Sequence, residues 1–146
     1  MRMLRGAVRH ARSAGRDESG QALVEFALVV PLVLVLLIAL FELGRLWHTY
    51  QVLTDAAREG ARTAALADPT ITPDTVRARI ETALSRAALR PEKWEIVPHG
   101  VDGMTGTMAS VEIRYRFEPA FVGPLFGLAK NKRWVMLSTR SVMRNE

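Results

Sequence analysis

Residues 18–31 read ESGQALVEFALVVP and open the one long apolar run of the chain. From Phe26 to Phe41, FALVVPLVLVLLIALF, sixteen consecutive residues carry no charge, yet Glu25 stands directly before them. Extended from Ala22 to Gly44, the run has 23 residues interrupted only by Glu25 and Glu42. As helix that is about 35 Å, enough to cross a hydrocarbon core of about 30 Å. A cleavable secretory signal has a shorter apolar core, roughly 7–15 residues, followed closely by a small-x-small site. The inviting site here, Ala65-Leu66-Ala67, lies more than 20 residues beyond the run. The segment therefore reads as a membrane anchor.

The flanks give the anchor an expected orientation. Arg2, Arg5, Arg9, Arg12 and Arg16 precede it, whereas Arg45, Arg58 and Arg62 follow within about 20 residues. This bias predicts a cytoplasmic amino terminus and an extracytoplasmic carboxy-terminal part, a single-pass protein of the cytoplasmic membrane. The same arginines account for most of the formal net charge of +5. Set against Asp17 and Glu18 they leave residues 1–20 at +3, and hence only +2 for the remainder. A nucleic-acid footprint needs a basic face on the folded part, so no nucleic-acid partner is expected. Lys130, Lys132 and Arg133 beside Trp134 read as a solvated loop. The chain has no cysteine, which excludes a disulfide framework and thiolate metal sites.

Helical patterning continues past the apolar run. Residues 45–67, RLWHTYQVLTDAAREGARTAALA, contain no proline and are rich in helix formers. One helix is expected from about 22 to 67, some 70 Å long, bent locally at Pro31. Trp47 and Tyr50 fall where an interfacial aromatic belt belongs, and Glu42 and Arg45 are spaced to pair at the boundary. Ala56, Gly60 and Ala64 recur every four residues, as do Ala57, Ala61 and Ala65. Such a stripe lets another element approach closely. It serves either the chain's own core or packing between subunits.

Beyond the helix an α+β unit is expected. Asp68-Pro69 ends the long helix, and Thr72-Pro73 starts a second with Thr72 as N-cap. Val76, Ile80, Ala83, Leu84 and Ala87 then place an apolar stripe on a helix over about 73–89, stopped by Pro91. The period next changes to two. Val111, Ile113, Tyr115 and Phe117 alternate with Glu112, Arg114, Arg116 and Glu118, which marks a strand. A shorter strand near 94–98 precedes it across the turn-rich HGVDGMTG, and a third near 133–143 follows a loop at 119–131. Three antiparallel strands against one or two helices is the economical arrangement. The expected divisions are 1–20, a basic leader; 21–45, the membrane helix; and 46–146, the extracytoplasmic α+β domain.

Catalysis finds little support. His10, His48 and His99 are scattered without metal-ligand spacing, and there is no phosphate-cradling glycine loop or nucleophile elbow. No catalytic, cofactor or metal site is expected, nor a small-molecule substrate. Glu25 has two readings on physical grounds. It is either a carboxylate at the cytoplasmic edge reaching toward headgroup water, or one half of an ion pair with a cation on a neighbouring helix. In the second case the pair favours one register between helices, because leaving either charge alone in lipid is expensive.

The stretch Gly20-Gln21-Ala22-Leu23-Val24-Glu25-Phe26 resembles a class III prepilin-peptidase motif, with glycine before the cut, glutamate at mature position five and an aromatic at six. The wider run GQALVEFALVVPLVLVLLIALFELGR, followed by DAAREGAR, is similar to the TadE-like family of the tight-adherence (Flp) pilus system, over about residues 19–65. This resemblance implies a minor pilin or pseudopilin, cut after Gly20 on the cytoplasmic side by a prepilin peptidase. Gln21 would then be the new amino terminus. Glu25 would contact a neighbour's amino terminus, and other pilins and the assembly platform would be its partners. Phe26 replaces the tyrosine common at that position. The substantial remainder of the chain sets it apart from a major pilin, which is little more than a helix. The alternative is a permanently anchored single-pass envelope protein whose external domain binds a partner.

Overall fold

The computed structural model describes residues 14–66, 68, 70–101, 103–121 and 134–145, with side chains from residue 20 onward. Most of the expected leader, and Lys130, Lys132 and Arg133 of the expected loop, lie outside the described residues. The fold is α+β: two helices, a short 3-10 turn and three antiparallel strands. The chain divides into two units, Met1–Leu40 and Phe41–Glu146.

Helix α1 runs from Ala14 to Ala64, straight through Pro31 in its hydrogen-bonded assignment. It begins eight residues earlier than the apolar pattern predicts. The preceding AGRDESGQ contains no proline, and its two glycines, Gly15 and Gly20, each cost at most about 1 kcal/mol relative to alanine. Its end comes three residues sooner than expected. Leu66 N–H turns back to the Thr63 carbonyl at 3.3 Å, and the Asp68 carboxylate then accepts from Thr70 N–H at 2.8 Å and Thr70 Oγ1 at 2.7 Å. Those two bonds hold the Asp68 pKa below the usual carboxylate value.

Helix α2 spans Pro73–Arg86. Thr72 caps it as the sequence predicts, its Oγ1 accepting from Thr75 N–H at 3.2 Å, with Pro73 at the first helical position. The helix ends short of residue 89 because Ala88 enters the left-handed region at φ 57°. Ala88 N–H then bonds the Ser85 carbonyl at 2.9 Å and Leu89 N–H the Leu84 carbonyl at 3.2 Å, the paired closure of a Schellman motif. Alanine occupies the position that usually takes glycine, and Leu89 packs on the core in return.

The strands are β1, Trp94–His99; β2, Met108–Phe117; and β3, Val135–Arg144. They form one sheet in the order β1-β2-β3. Trp94 lies opposite Tyr115 and His99 opposite Ser110, while Met108 pairs with Arg144 and Phe117 with Val135. The turn between β1 and β2 needs glycine at residue 100, where φ is +69° and a Cβ would collide with the Met108 carbonyl. Asn145 ties that turn to the end of β3: its N–H donates to the Thr107 carbonyl at 2.8 Å, and its Nδ2 donates to Thr107 Oγ1 at 2.8 Å.

Period-two alternation sends Ala109, Val111, Ile113, Tyr115 and Phe117 of β2 to one face, and all five are buried. Both helices lie on that face. Val76, Ile80 and Leu84 come from α2, and Leu53, Ala56, Ala57, Ala61 and Ala64 from α1. The alanines keep α1 close to its neighbours. Gly60 marks the tightest approach, where a Cβ would stand 2.5 Å from Ile80 Cδ1 and 3.4 Å from Val111 Cγ2. We predict that Gly60→Leu destabilises the fold by about 1–3 kcal/mol through overpacking. Denaturant unfolding of the detergent-solubilised chain measures it, and an unchanged midpoint would count against this packing.

Candidate functional site

Two glutamates bracket the apolar run of α1, and the structure treats them oppositely. In the first unit, Leu23, Val24, Phe26, Leu28 and most of the apolar residues that follow are exposed around the helix. Among the described residues this is the one helix long and apolar enough to cross a membrane. Such a segment is consistent with a single-pass anchor, since lipid rather than protein then covers its side chains.

Glu25 is exposed on that helix. Its Oε1 accepts from Gln21 Nε2 at 3.3 Å, one helical turn away. Among the described residues no cation lies within ion-pair distance of it. Phe26 is exposed beside it, and a side chain added at Gly20 would meet nothing within 4 Å. Gly20 therefore answers no packing demand, although glycine within a helix costs about 0.5–1 kcal/mol relative to alanine. Gly20, Gln21, Glu25 and Phe26 thus stand together on an open stretch of helix. Ala56, Ala57, Gly60, Ala61 and Ala64 are instead buried in the core of the second unit.

Glu42 is only 5 % exposed. Arg45 Nη1 donates to both its oxygens, at 3.1 and 3.3 Å, the pairing that the spacing predicts. The same carboxylate also accepts backbone N–H bonds from Ala120, at 2.9 Å, and Phe121, at 3.1 Å. One side chain at the end of the apolar run therefore pins the segment that leaves β2, nearly eighty residues away in sequence. Around this anchor the Arg45 guanidinium lies over the Phe117 ring, 5.5 Å from its centroid, and Phe41 meets Phe121 edge-on at 6.2 Å. Lys93 Nζ reaches Glu118 at 2.7 Å, which holds the Glu118 pKa below its usual value.

Sequence reasoning missed the long-range half of the Glu42 site. A signal was present, because Glu42, Leu46, Thr49, Leu53 and Ala57 recur at three- and four-residue steps. Glu42 thus begins the stripe that turns toward the core. Removing its carboxylate strands two backbone donors and frees Arg45. We predict that Glu42→Leu lowers stability by about 1–3 kcal/mol, whereas Glu42→Gln, which keeps an acceptor, costs less. Faster hydrogen exchange at the Ala120 and Phe121 amides in Glu42→Leu is the local check.

Residues 20–62 match the family model described as TadE-like protein. The match begins at Gly20 and takes in Glu25, the whole apolar run, Glu42 and most of the small-residue stripe. No curated protein and no solved structure matches the chain. Over residues 20–62, somewhat under a third of its length, the chain is thus similar to the TadE-like protein family.

Proposed function

We propose that the chain is a minor pilin or pseudopilin-type component of tight-adherence (Flp) pilus assembly, processed by a prepilin peptidase after Gly20. The single observation that carries this reading is the TadE-like match over residues 20–62, a family that suggests involvement in Tad pilus assembly. That family is a pilus component family and is not known as enzymatic.

The geometry around Gly20 supports the finer reading. Gly20 lies within α1, carries no side chain, and a Cβ added there would meet nothing within 4 Å, so once the helix opens locally no packed side chain stands in a peptidase's way. Cleavage leaves a new ammonium at Gln21, four residues before Glu25. On an adjacent subunit that ammonium is a partner for the Glu25 carboxylate. A charge left alone at the bilayer centre costs about 2.5–3.5 kcal/mol on insertion scales, less toward the edge, so pairing selects one stagger between helices. In this reading residues 1–20 are a cytoplasmic leader, residues 21–45 hold the subunit in membrane or fibre, and the remainder faces the extracytoplasmic side. Other pilins and the assembly platform are its partners.

The intact mass and first residue of the protein isolated from its own membranes test the processing. We expect a chain beginning at Gln21. A chain retaining residues 1–20 would mean a permanently anchored envelope protein, with Glu25 an edge carboxylate reaching toward water. The pairing role has its own test. Glu25→Ala should insert normally yet assemble poorly, and unchanged assembly would remove it.

A further inference from the structure

The contacts between α1 and the sheet follow a fixed order. Arg45 lies over Phe117. Thr54 Oγ1 lies 3.4 Å from Thr139 Oγ1, and Thr139 is the partner of Ile113. Gly60 then stands against Val111. Walking along α1 from residue 45 to 60 therefore runs backward along β2 from 117 to 111. The end of the sheet that carries Phe117 and Val135 lies beside the α1 turn at 41–45, and Phe41 is the last residue of the uncharged run.

At this end large apolar side chains stay open. Phe121 is 48 % exposed, Trp134 41 %, Val135 46 % and Met136 46 %. Alternation puts Val135 on the face of buried Leu137 and Met136 on the opposite face. It is thus the end of the sheet rather than one of its faces that presents apolar surface, and such exposure marks an interaction surface. The carboxylate at the same level, Glu42, is withdrawn into the protein and bonded to Arg45 and two backbone N–H groups. Glu118, next along the chain, is paired with Lys93. The opposite end of the sheet exposes Met104 and Met108 but, among the described residues, no Phe, Tyr or Trp ring.

Position identifies the occupant. Six residues separate Phe41 from Trp47, a rise of about 9 Å. The headgroup layer is about 5–8 Å deep on each side of the hydrocarbon. The exposed Trp47 therefore stands at the outer edge of that layer, whereas the Phe117–Val135 end of the sheet, beside residues 41–45, falls within it. A protein partner seated on Phe121 and Trp134 would compete for that same layer with lipid. We propose that Phe121, Trp134, Val135 and Met136 form a second membrane contact, seated in the headgroup layer of the leaflet from which α1 emerges. The proposal rests on the single-pass anchor reading. It joins the folded part to the bilayer through the sheet end as well as through the helix.

The three tryptophans of the chain make the test direct. The full chain is reconstituted in phosphatidylcholine–phosphatidylglycerol vesicles, with and without acyl chains brominated near the headgroup. Single-tryptophan variants keep Trp134 alone, keep Trp47 alone, or carry Met104→Trp in a background lacking the other three; circular dichroism verifies folding. We expect brominated lipid to quench Trp134 at least as strongly as Trp47. Both should be shielded from aqueous acrylamide, while the Met104→Trp reporter should show the reverse. Trp134 behaving like the Met104→Trp reporter overturns the proposal. So does shielding from acrylamide without bromine quenching, the outcome that a second copy covering the patch would give. If Trp47 is quenched and Trp134 is not, only this contact fails. If neither is quenched, the anchor reading fails and the contact fails with it.

Discussion

Helix α1 changes character along its length, from a segment apolar enough to span a membrane to one with a single buried face, and the rest of the structure depends on how that change is made. From Phe26 to Phe41 it is apolar on every side, as suits a helix surrounded by lipid. From Glu42 onward one face alone is buried, and the remaining face carries Gln51, Asp55, Arg58, Glu59 and Arg62, all exposed. Glu42 stands at the changeover. A carboxylate there would be costly in hydrocarbon, and the fold meets that cost with Arg45 and the N–H groups of Ala120 and Phe121. The changeover and the attachment of the sheet are thus made by one side chain.

The core that this face helps to build uses small residues on the helix and larger ones opposite. Ala56, Ala57, Gly60, Ala61 and Ala64 offer little volume, and Ile80, Val111, Ile113 and Phe117 fill the space they leave. Close approach of backbones substitutes for large side chains on α1, which suits a helix whose apolar residues are concentrated elsewhere. The turns are held more by hydrogen bonds than by burial. Asp68 closes the end of α1, Thr72 opens α2, and Asn145 joins the β1–β2 turn to the end of β3.

Much of this is written in local pattern. Period two marked β2, Thr72-Pro73 marked the start of α2, and an uncharged run of sixteen residues marked the membrane-competent part of α1. Element ends were harder, because they depend on single backbone conformations. The left-handed Ala88 shortens α2 with no glycine to announce it. Helix α1 reaches back to Ala14 because residues 14–19 contain no proline or other residue that forbids helix. The Glu42 site was half visible. Its pairing with Arg45 follows from a three-residue spacing, whereas its grip on residues 120 and 121 is a contact made by topology. No local period encodes which strand end will arrive beside which helical turn.

That grip has a further consequence. Glu42 holds the β2–β3 connection by peptide N–H groups, and every residue except proline supplies one. The attachment therefore places almost no demand on which side chains occupy positions 120 and 121. Selection acting on the connection is free to change its chemistry, its charge or its length beyond Phe121 while its root stays fixed to the helix. The fold thus fixes where the connection is rooted through peptide groups alone, leaving that anchorage indifferent to the side chains carried at the root.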